Sequence, residues 1–422
     1  MLPSRPVLTL CIAEVYPWPP RRGYEIRLAN LLSGLALNGP VDFVCLDASG
    51  RSQEHTPQGI TCIGAPASKE RSWVGWLPRW LLRSKPRRLV RQDFSRAREI
   101  LGAGSDSKYD LIYYSHIDSW HETQGLCVGP SIIDLDNLEH LNLRSTRRLG
   151  PRFWSGDSAV GRLRKMARWM VASGFDVIDE RRWDRIQRLA ATKSAAVLVC
   201  SELDVERSNC TNAVVIPNGY QPEWSPQSHR YINSPGNPVF LFVGSLGYLP
   251  NADALQWFVS EIAPLIHQQL PGAQFRFVGE CGPSVQSTQS GGGVVVVGPV
   301  PNLEQEFAQA DVAIVPIRSG AGTRLKVVEA MANRLPVVST SIGCEGIEVD
   351  HGVHVLIADS ATSFASECLR LARESSERTA MIDAAEQRFH DRYDWNDIRS
   401  SVALLARSVV EQADTNEPPQ RD

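Results

Sequence analysis

Gly320-Ala321-Gly322-Thr323-Arg324-Leu325-Lys326-Val327-Val328-Glu329-Ala330-Met331 stands between two apolar runs, Val312-Ala313-Ile314-Val315-Pro316-Ile317 and Pro336-Val337-Val338-Ser339-Thr340. Both runs read as buried strands, and the stretch between them predicts a glycine-rich turn and then a helix reaching Asn333. Strand, turn, helix, strand is the order of a parallel βαβ unit. Such a turn presents free backbone N–H groups and the positive end of a helix dipole. Arg324 and Lys326 add two cations there, an unfavourable placement unless an anion sits beside them. Glu329, one turn on, is able to accept hydrogen bonds from hydroxyls next to that anion. A diphosphate carrying a ribose fits this arrangement, and an ordinary loop with a solvated basic first turn is the plain alternative. Position 325 is leucine, so the run is not the GxGxxG fingerprint, and the chain has no GxxxxGK[ST]. Hydride transfer and P-loop hydrolysis therefore lose their usual support.

Outward from this unit the pattern repeats. Strand-like runs in the first half are Val7–Ala13, Val41–Asp47, Asp110–His116, Ser131–Asp136, Ala195–Glu202 and Ala213–Asn218. The second half offers Val239–Gly244, Gln274–Gly279, Val294–Gly298, Asp311–Ile317, Pro336–Thr340 and His354–Asp359. Most are continuous apolar runs, which suits strands covered on both faces of a parallel sheet. A helix starting near Asn251 carries Leu255, Phe258, Val259, Ile262, Leu265 and Ile266 on one stripe and ends at Pro271-Gly272. The fold class is α/β, with two doubly wound Rossmann-like domains facing a central cleft where two substrates could be joined. The first domain is placed at 1–220, an aperiodic Pro-, Ser- and Asn-rich linker at 221–238 and the second domain at 239–392. Residues 412–422 are polar with paired prolines and read as a disordered tail.

A net charge of −3 on 422 residues gives no reason to expect a nucleic-acid partner. The nine cysteines lie far apart, without metal-ligand spacing, as in a reducing compartment. The apolar run Val7–Ala13 ends at Glu14 without a small-residue cleavage site, and no run approaches the ~20 apolar residues of a membrane span. These features place the protein in the cytoplasm. Two basic stretches with tryptophans qualify that placement. Residues 71–98 hold nine Lys/Arg against one acid, with Trp73, Trp76 and Trp80. Residues 144–170 hold eight against Asp157 alone, with Phe153, Trp154 and Trp169. Such stretches suit peripheral contact with an anionic membrane face, or else a solvated surface whose tryptophans anchor the core.

Val215-Ile216-Pro217-Asn218-Gly219, Phe242-Val243-Gly244-Ser245 and Arg324-Leu325-Lys326-Val327-Val328-Glu329-Ala330-Met331-Ala332 together resemble family 4 glycosyltransferases, retaining enzymes of the GT-B fold. Val338-Ser339-Thr340 with Gly343 and Glu345-Gly346, the closing Tyr393-Asp394-Trp395, and Tyr16-Pro17-Trp18-Pro19-Pro20-Arg21-Arg22-Gly23 fit as well. The resemblance implies sugar transfer from a nucleotide-diphosphate sugar to a glycan, lipid-linked or small-molecule acceptor, with no cofactor and no metal. It assigns Arg324 and Lys326 to the diphosphate, Glu329 to the ribose, Pro299 and Val300 to the base, and Gly23 to the donor phosphate. Ser245, Gly320, Ala321, Gly322 and Thr323 complete the donor loops. His116 matches a histidine near the transferred sugar, so that His116, Arg324 and Lys326 are the catalytic set. Asn137, Glu139 and His140 line the acceptor side, and residues 393–411 form a helix returning to the first domain.

Two departures stand out. The family's first glutamate, eight positions before Glu329, is Ala321, and the arginine and lysine expected after Phe242-Val243-Gly244-Ser245 are missing. Both shift sugar contacts toward backbone N–H groups. In the resemblance, the departing phosphate helps deprotonate the acceptor, and cations stabilise the charge growing on it. Asp134 and Asp136, two apart at a strand end, would suit a glycosidase pair. The same motifs would also serve a non-catalytic module that binds sugar nucleotide or assists a partner, or a nucleotide-sugar epimerase.

Overall fold

A computed structural model describes residues 5–20, 22–48, 56–103, 109–148, 150–151, 158–222, 236–281, 293–320, 322, 324–373 and 375–416. The chain divides into two compact units, Met1–Pro217 with Asn396–Asp422, and Asn218–Trp395.

The first unit is built on β1 (Thr9–Val15), β2 (Val41–Asp47) and β3 (Ile60–Gly64), the two-residue antiparallel pair β4 (Lys69–Glu70) and β5 (Gln92–Asp93), then β6 (Leu111–Ser115), β7 (Ser131–Asp134), β8 (Ala196–Val199) and β9 (Ala213–Val215). Its main sheet is parallel in the order β3-β2-β1-β6-β7-β8-β9. The strand direction of travel reverses between β1 and β6, and the carboxyl ends of those strands are where an open α/β sheet gathers ligands. β3 escapes the apolar-run criterion because only Ile60 is buried, while its other residues alternate at the sheet edge. β6 stops at Ser115 and β7 at Asp134, short of the expected His116 and Asp136. Both residues therefore stand in the loops beyond the sheet. A helix of 35 residues, Ala159–Lys193, also belongs to this unit.

The second unit holds β10 (Val239–Val243), β11 (Gln274–Val278), β12 (Val294–Val297), β13 (Val312–Val315), β14 (Val337–Ser339) and β15 (Leu356–Ile357). They pair in parallel in the order β12-β11-β10-β13-β14-β15, reversing between β10 and β13. Phe240 and Phe242 stand in register with Phe275 and Phe277. Phe258 packs edge-on against Phe275 and Phe277, with centroids at 5.0 and 5.5 Å. The stripe expected as one helix from Asn251 is three pieces: an α-helix Leu249–Trp257, a π-turn Phe258–Ile262 and an α-helix Ala263–His267.

The boundaries differ from the sequence expectation by a few residues. Tyr220 belongs with the second unit, because its N–H donates to the Tyr393 carbonyl at 2.9 Å. The returning segment starts at Asn396, not at 393, since Tyr393 accepts the Glu348 N–H at its hydroxyl at 2.7 Å within the second unit. From there the helix Trp395–Asn416 carries the chain along the helix Gly23–Leu35 of the first unit. Arg399 donates to Asn30, and Asn38 donates to the Ala403 carbonyl at 2.6 Å. Residues 412–416, expected as tail, are helical, whereas 417–422 and most of the expected linker, 223–235, lie outside the described residues.

Candidate active site

In the second unit the carboxyl end of β10 and the turn after β13 meet at the reversal point. Gly244 follows β10 with φ 151°, and a Cβ there would come within 2.6 Å of Lys326 Cε and 2.9 Å of Nζ. Only glycine leaves that space to the lysine. The ammonium lies 5.5 Å from the Phe242 ring centroid. Burial pushes its pKa down to about 8, with Arg324 adding to the fall and Glu329 opposing it. Burial likewise raises Glu329, against Lys326. Arg324 is the N-cap residue of the helix Leu325–Ala332; its Nε donates to the Ile342 carbonyl at 3.2 Å. Gly320 has φ 127°, and a side chain there would strike the Arg324 guanidinium at 2.9 Å. Two cations are thus aimed beside a helix N-terminus, and Lys326 is partly desolvated with Glu329 as its nearby acid. A doubly charged anion there would be attracted by both cations.

A second constellation occupies the reversal point of the first unit. His116 has φ 74° and ψ 151°, a region that side chains rarely enter, and such strain persists where surrounding contacts over-determine it. Its Nδ1 lies 2.5 Å from Asp118 Oδ2 and 3.6 Å from Glu14 Oε2, and its Nε2 lies 3.2 Å from Glu139 Oε1 and 3.8 Å from Asp136 Oδ1. Arg88 binds Asp118 in bidentate fashion and reaches Glu139 at 3.0 Å, its guanidinium stacked over the Trp183 ring. Burial and Arg88 both push the imidazole toward neutrality. Asp118 and Glu139 outweigh them and hold His116 protonated well above the usual histidine range. Glu14, His116 and Asp118 also converge at a spacing that could hold a metal. Arg88, bonded to Asp118, is the cation these carboxylates meet in this structure.

Comparison with known proteins bears on the second unit first. Residues 237–374 match the family model described as glycosyl transferases group 1. This stretch, about a third of the chain, is similar to the group 1 glycosyltransferases. An uncharacterised 44.6 kDa protein in the cps region of Klebsiella pneumoniae is 28% identical over 172 residues, which are 38% of this chain and 44% of that protein. The match thus spans less than half of that curated relative. Among solved structures, sucrose-phosphate synthase from Thermosynechococcus elongatus superposes with a TM-score of 0.66 at 18% identity, covering 96% of this chain and 100% of that one. Anabaena HepE in complex with UDP-glucose gives 0.59 at 14% identity, covering 95% and 99%. These likenesses show the fold, which is the two-Rossmann GT-B type.

The matched stretch contains the residues expected to hold the donor apart from Gly23, and Gly320, Gly322, Arg324, Lys326 and Glu329 lie together after β13. Ala321 and Thr323 fall outside the described residues. Ser245 is exposed and its carbonyl accepts from Asn251 at 2.7 Å; Pro299 is exposed, and Val300 packs on the core of this unit. In the first unit Gly23 opens the helix Gly23–Leu35, and Glu139 joins His116. His140 does not; its Nδ1 pairs with Gln187 at 2.7 Å on the long helix. Asp134 is no partner for Asp136 in glycosidase chemistry, because Arg27 binds it through a buried bidentate pair. Glu14, Arg88 and Asp118 were missed. Glu14 was legible as the polar end of the first strand, and Asp118 as a neighbour of His116. Arg88 was hidden in a basic stretch read as either membrane-facing or a solvated surface.

Proposed function

We propose that the protein is a retaining glycosyltransferase, moving a hexose from a nucleotide-diphosphate sugar held by the second unit to a glycan, lipid-linked or small-molecule hydroxyl held by the first unit. The reading rests on the paired cations Arg324 and Lys326 beside Gly244, a match to a diphosphate that is about to depart. HepE was solved with UDP-glucose, which supports a nucleotide-sugar donor, and the relative from a cps region supports polysaccharide synthesis. No cofactor is needed for this chemistry. Thermal-shift screening with nucleoside diphosphates and their sugars tests the donor. Binding at ~100-fold excess over Kd raises stability by roughly 2.7 kcal/mol, and no shift with any of them would remove the donor site.

The second reading is a nucleotide-sugar epimerase. It gains from Glu14, Asp118, Asp136 and Glu139, carboxylates of the kind such an enzyme needs. Recovery of an isomerised donor without an acceptor product would favour it. A non-catalytic module has only Ala321 in its favour, as the missing first glutamate.

Peripheral membrane contact is part of the proposal. No helix among the described residues is long and apolar enough to cross a membrane. Much of the charge in residues 71–98 is taken up inside the unit: Arg87 binds Asp176 and Asp179, Arg88 binds Asp118, and Lys85 and Arg98 bind Glu122. Trp80 is an anchor, donating to Asp179 at 2.8 Å, but Trp73 and Leu82 are 69% and 86% exposed. On the long helix no residue before Asp179 is buried, and Leu163 and Val171 are 70% and 63% exposed among Arg162, Arg164 and Arg168. That combination suits an anionic lipid surface. Flotation with anionic vesicles, lost on Leu163→Glu with Val171→Glu and absent with neutral ones, is the expected result. Equal failure to float with both would leave a soluble acceptor.

A further inference from the structure

The two turns expected to hold the donor leave from strands that part before they end. β10 and β13 are neighbours, yet their ladder stops at the pair Leu241–Ala313, two residues short of the end of either strand. Beyond that pair, backbone pairing no longer fixes where the turn at Gly244 stands relative to the turn at Gly320. Both turns serve one anion site, since Gly244 leaves the space taken by Lys326 and Gly320 the space taken by the Arg324 guanidinium.

One helix of the second unit reaches both turns. In Leu249–Trp257, Asn251 is 4% exposed and donates through Nδ2 to the Ser245 carbonyl at 2.7 Å. Two residues on, Asp253 accepts from Nε and Nη2 of Arg318 at 3.1 and 2.9 Å. Trp257, four residues after Asp253 and so on the same helix face, carries that guanidinium over its ring at 5.0 Å. Trp257 is itself fixed, because its Nε1 donates to Glu261 at 3.2 Å and its ring meets Phe364 edge-on at 6.0 Å. Arg318 stands two residues before Gly320, and Thr340 Oγ1 donates to the carbonyl of Ile317 just ahead of it. With 43% of the Arg318 side chain exposed, the ion pair adds little stability. A forked and stacked guanidinium does set a position closely, as a lysine would not.

We infer that Asn251 and the Arg318–Asp253 pair are positioning residues for the donor: through the helix Leu249–Trp257 they hold the turns after β10 and β13 at the separation a diphosphate needs. The inference deepens the transferase reading and rests on its donor site. Ordering two turns at the moment of binding costs affinity, and turns fixed beforehand avoid that cost. Lys326 gives a second readout. It is lowered to about 8, by burial first; Arg324 lowers it further and Glu329 raises it, while β10 meets it with the Phe242 ring and Gly244, both uncharged. A turn released by loss of the Asn251 bond lets water reach the ammonium, so its pKa rises.

The test measures binding of UDP, GDP, ADP and dTDP by calorimetry in wild type, Arg318→Ala, Asp253→Ala, the double variant and Asn251→Ala. For the diphosphate that wild type binds best, Arg318→Ala and Asp253→Ala are each expected to lose about tenfold or more in affinity. The double variant should lose no more than either, because both changes break one tie. The urea transition of the second unit should stay in place in all three. Wild-type affinity should fall as pH rises through about 8, where the free lysine loses its charge. Asn251→Ala should bind more weakly at pH 7 and begin its fall at higher pH. Should Asn251→Ala fail to fold, the exposed pair decides alone. Loss in only one member of the pair, additive losses, wild-type affinity throughout, or an unmoved fall in Asn251→Ala each overturns the positioning role and leaves the donor site standing. A wild type that binds none of the four diphosphates overturns the donor site, and this inference with it.

Discussion

Lys326→Ala is expected to lower transfer by a hundredfold or more while the fold survives. One positioned charge on a departing group typically contributes ~2.7–4 kcal/mol of transition-state stabilisation. The ammonium is pressed against Gly244 and the Phe242 face, which keeps the charge poorly solvated. Arg324→Ala should act in the same direction, since a guanidinium offers a fork that water does not replace. The pH profile carries the signature. Lys326 is lowered to about 8, first by burial, so the free enzyme is cationic there below that value and loses the charge as pH rises through it. Wild-type kcat/KM for the donor should therefore fall above pH ~8. In kcat the fall should come later, because a bound diphosphate raises the lysine's pKa again. Lys326→Arg should move this limb out of the accessible range. Wild-type rates and donor affinity in both alanine variants would mean that the diphosphate site is elsewhere.

Asp134→Ala is expected to destabilise the first unit by ~3–5 kcal/mol, the range for leaving one partner of a buried ion pair uncompensated. Arg27 is 1% exposed, with Nη2 and Nε donating to Asp134 at 2.8 and 2.9 Å and Nη1 donating to the Ile216 carbonyl at 2.9 Å. The pair ties the helix Gly23–Leu35 and β7 to the chain leaving β9. In urea, followed by circular dichroism, the transition of the first unit should move to lower denaturant. The transition of the second unit should stay where it is. Arg27→Leu combined with Asp134→Leu should cost less than the two single changes added, because no charge is left stranded. A loss below ~1 kcal/mol in Asp134→Ala would mean that water reaches the guanidinium.

The two aspartates show where a sequence stops being informative. Asp134 and Asp136 are two apart at one strand end and look equivalent as letters. They differ because Arg27, 107 residues earlier, binds one and leaves the other beside His116. Arg88 shows the same limit. It sat in a run of cations whose composition suggests a surface, yet its charge is directed inward to Asp118 and Glu139.

What the sequence determined by itself is the repeated strand–helix order, the parallel sheets and the turn after Ile317 that leads into the helix carrying Lys326 and Glu329. These depend on contacts between near neighbours and on strands apolar on both faces, properties that a linear pattern carries. The tertiary structure decided the placement of Lys326 against Gly244 and the gathering of Arg88 and four carboxylates around His116. It also decided the boundaries at Pro217 and Asn396. Each of these depends on charge, burial and hydrogen bonding between segments far apart in the chain, so it exists only once the sheets have brought them together.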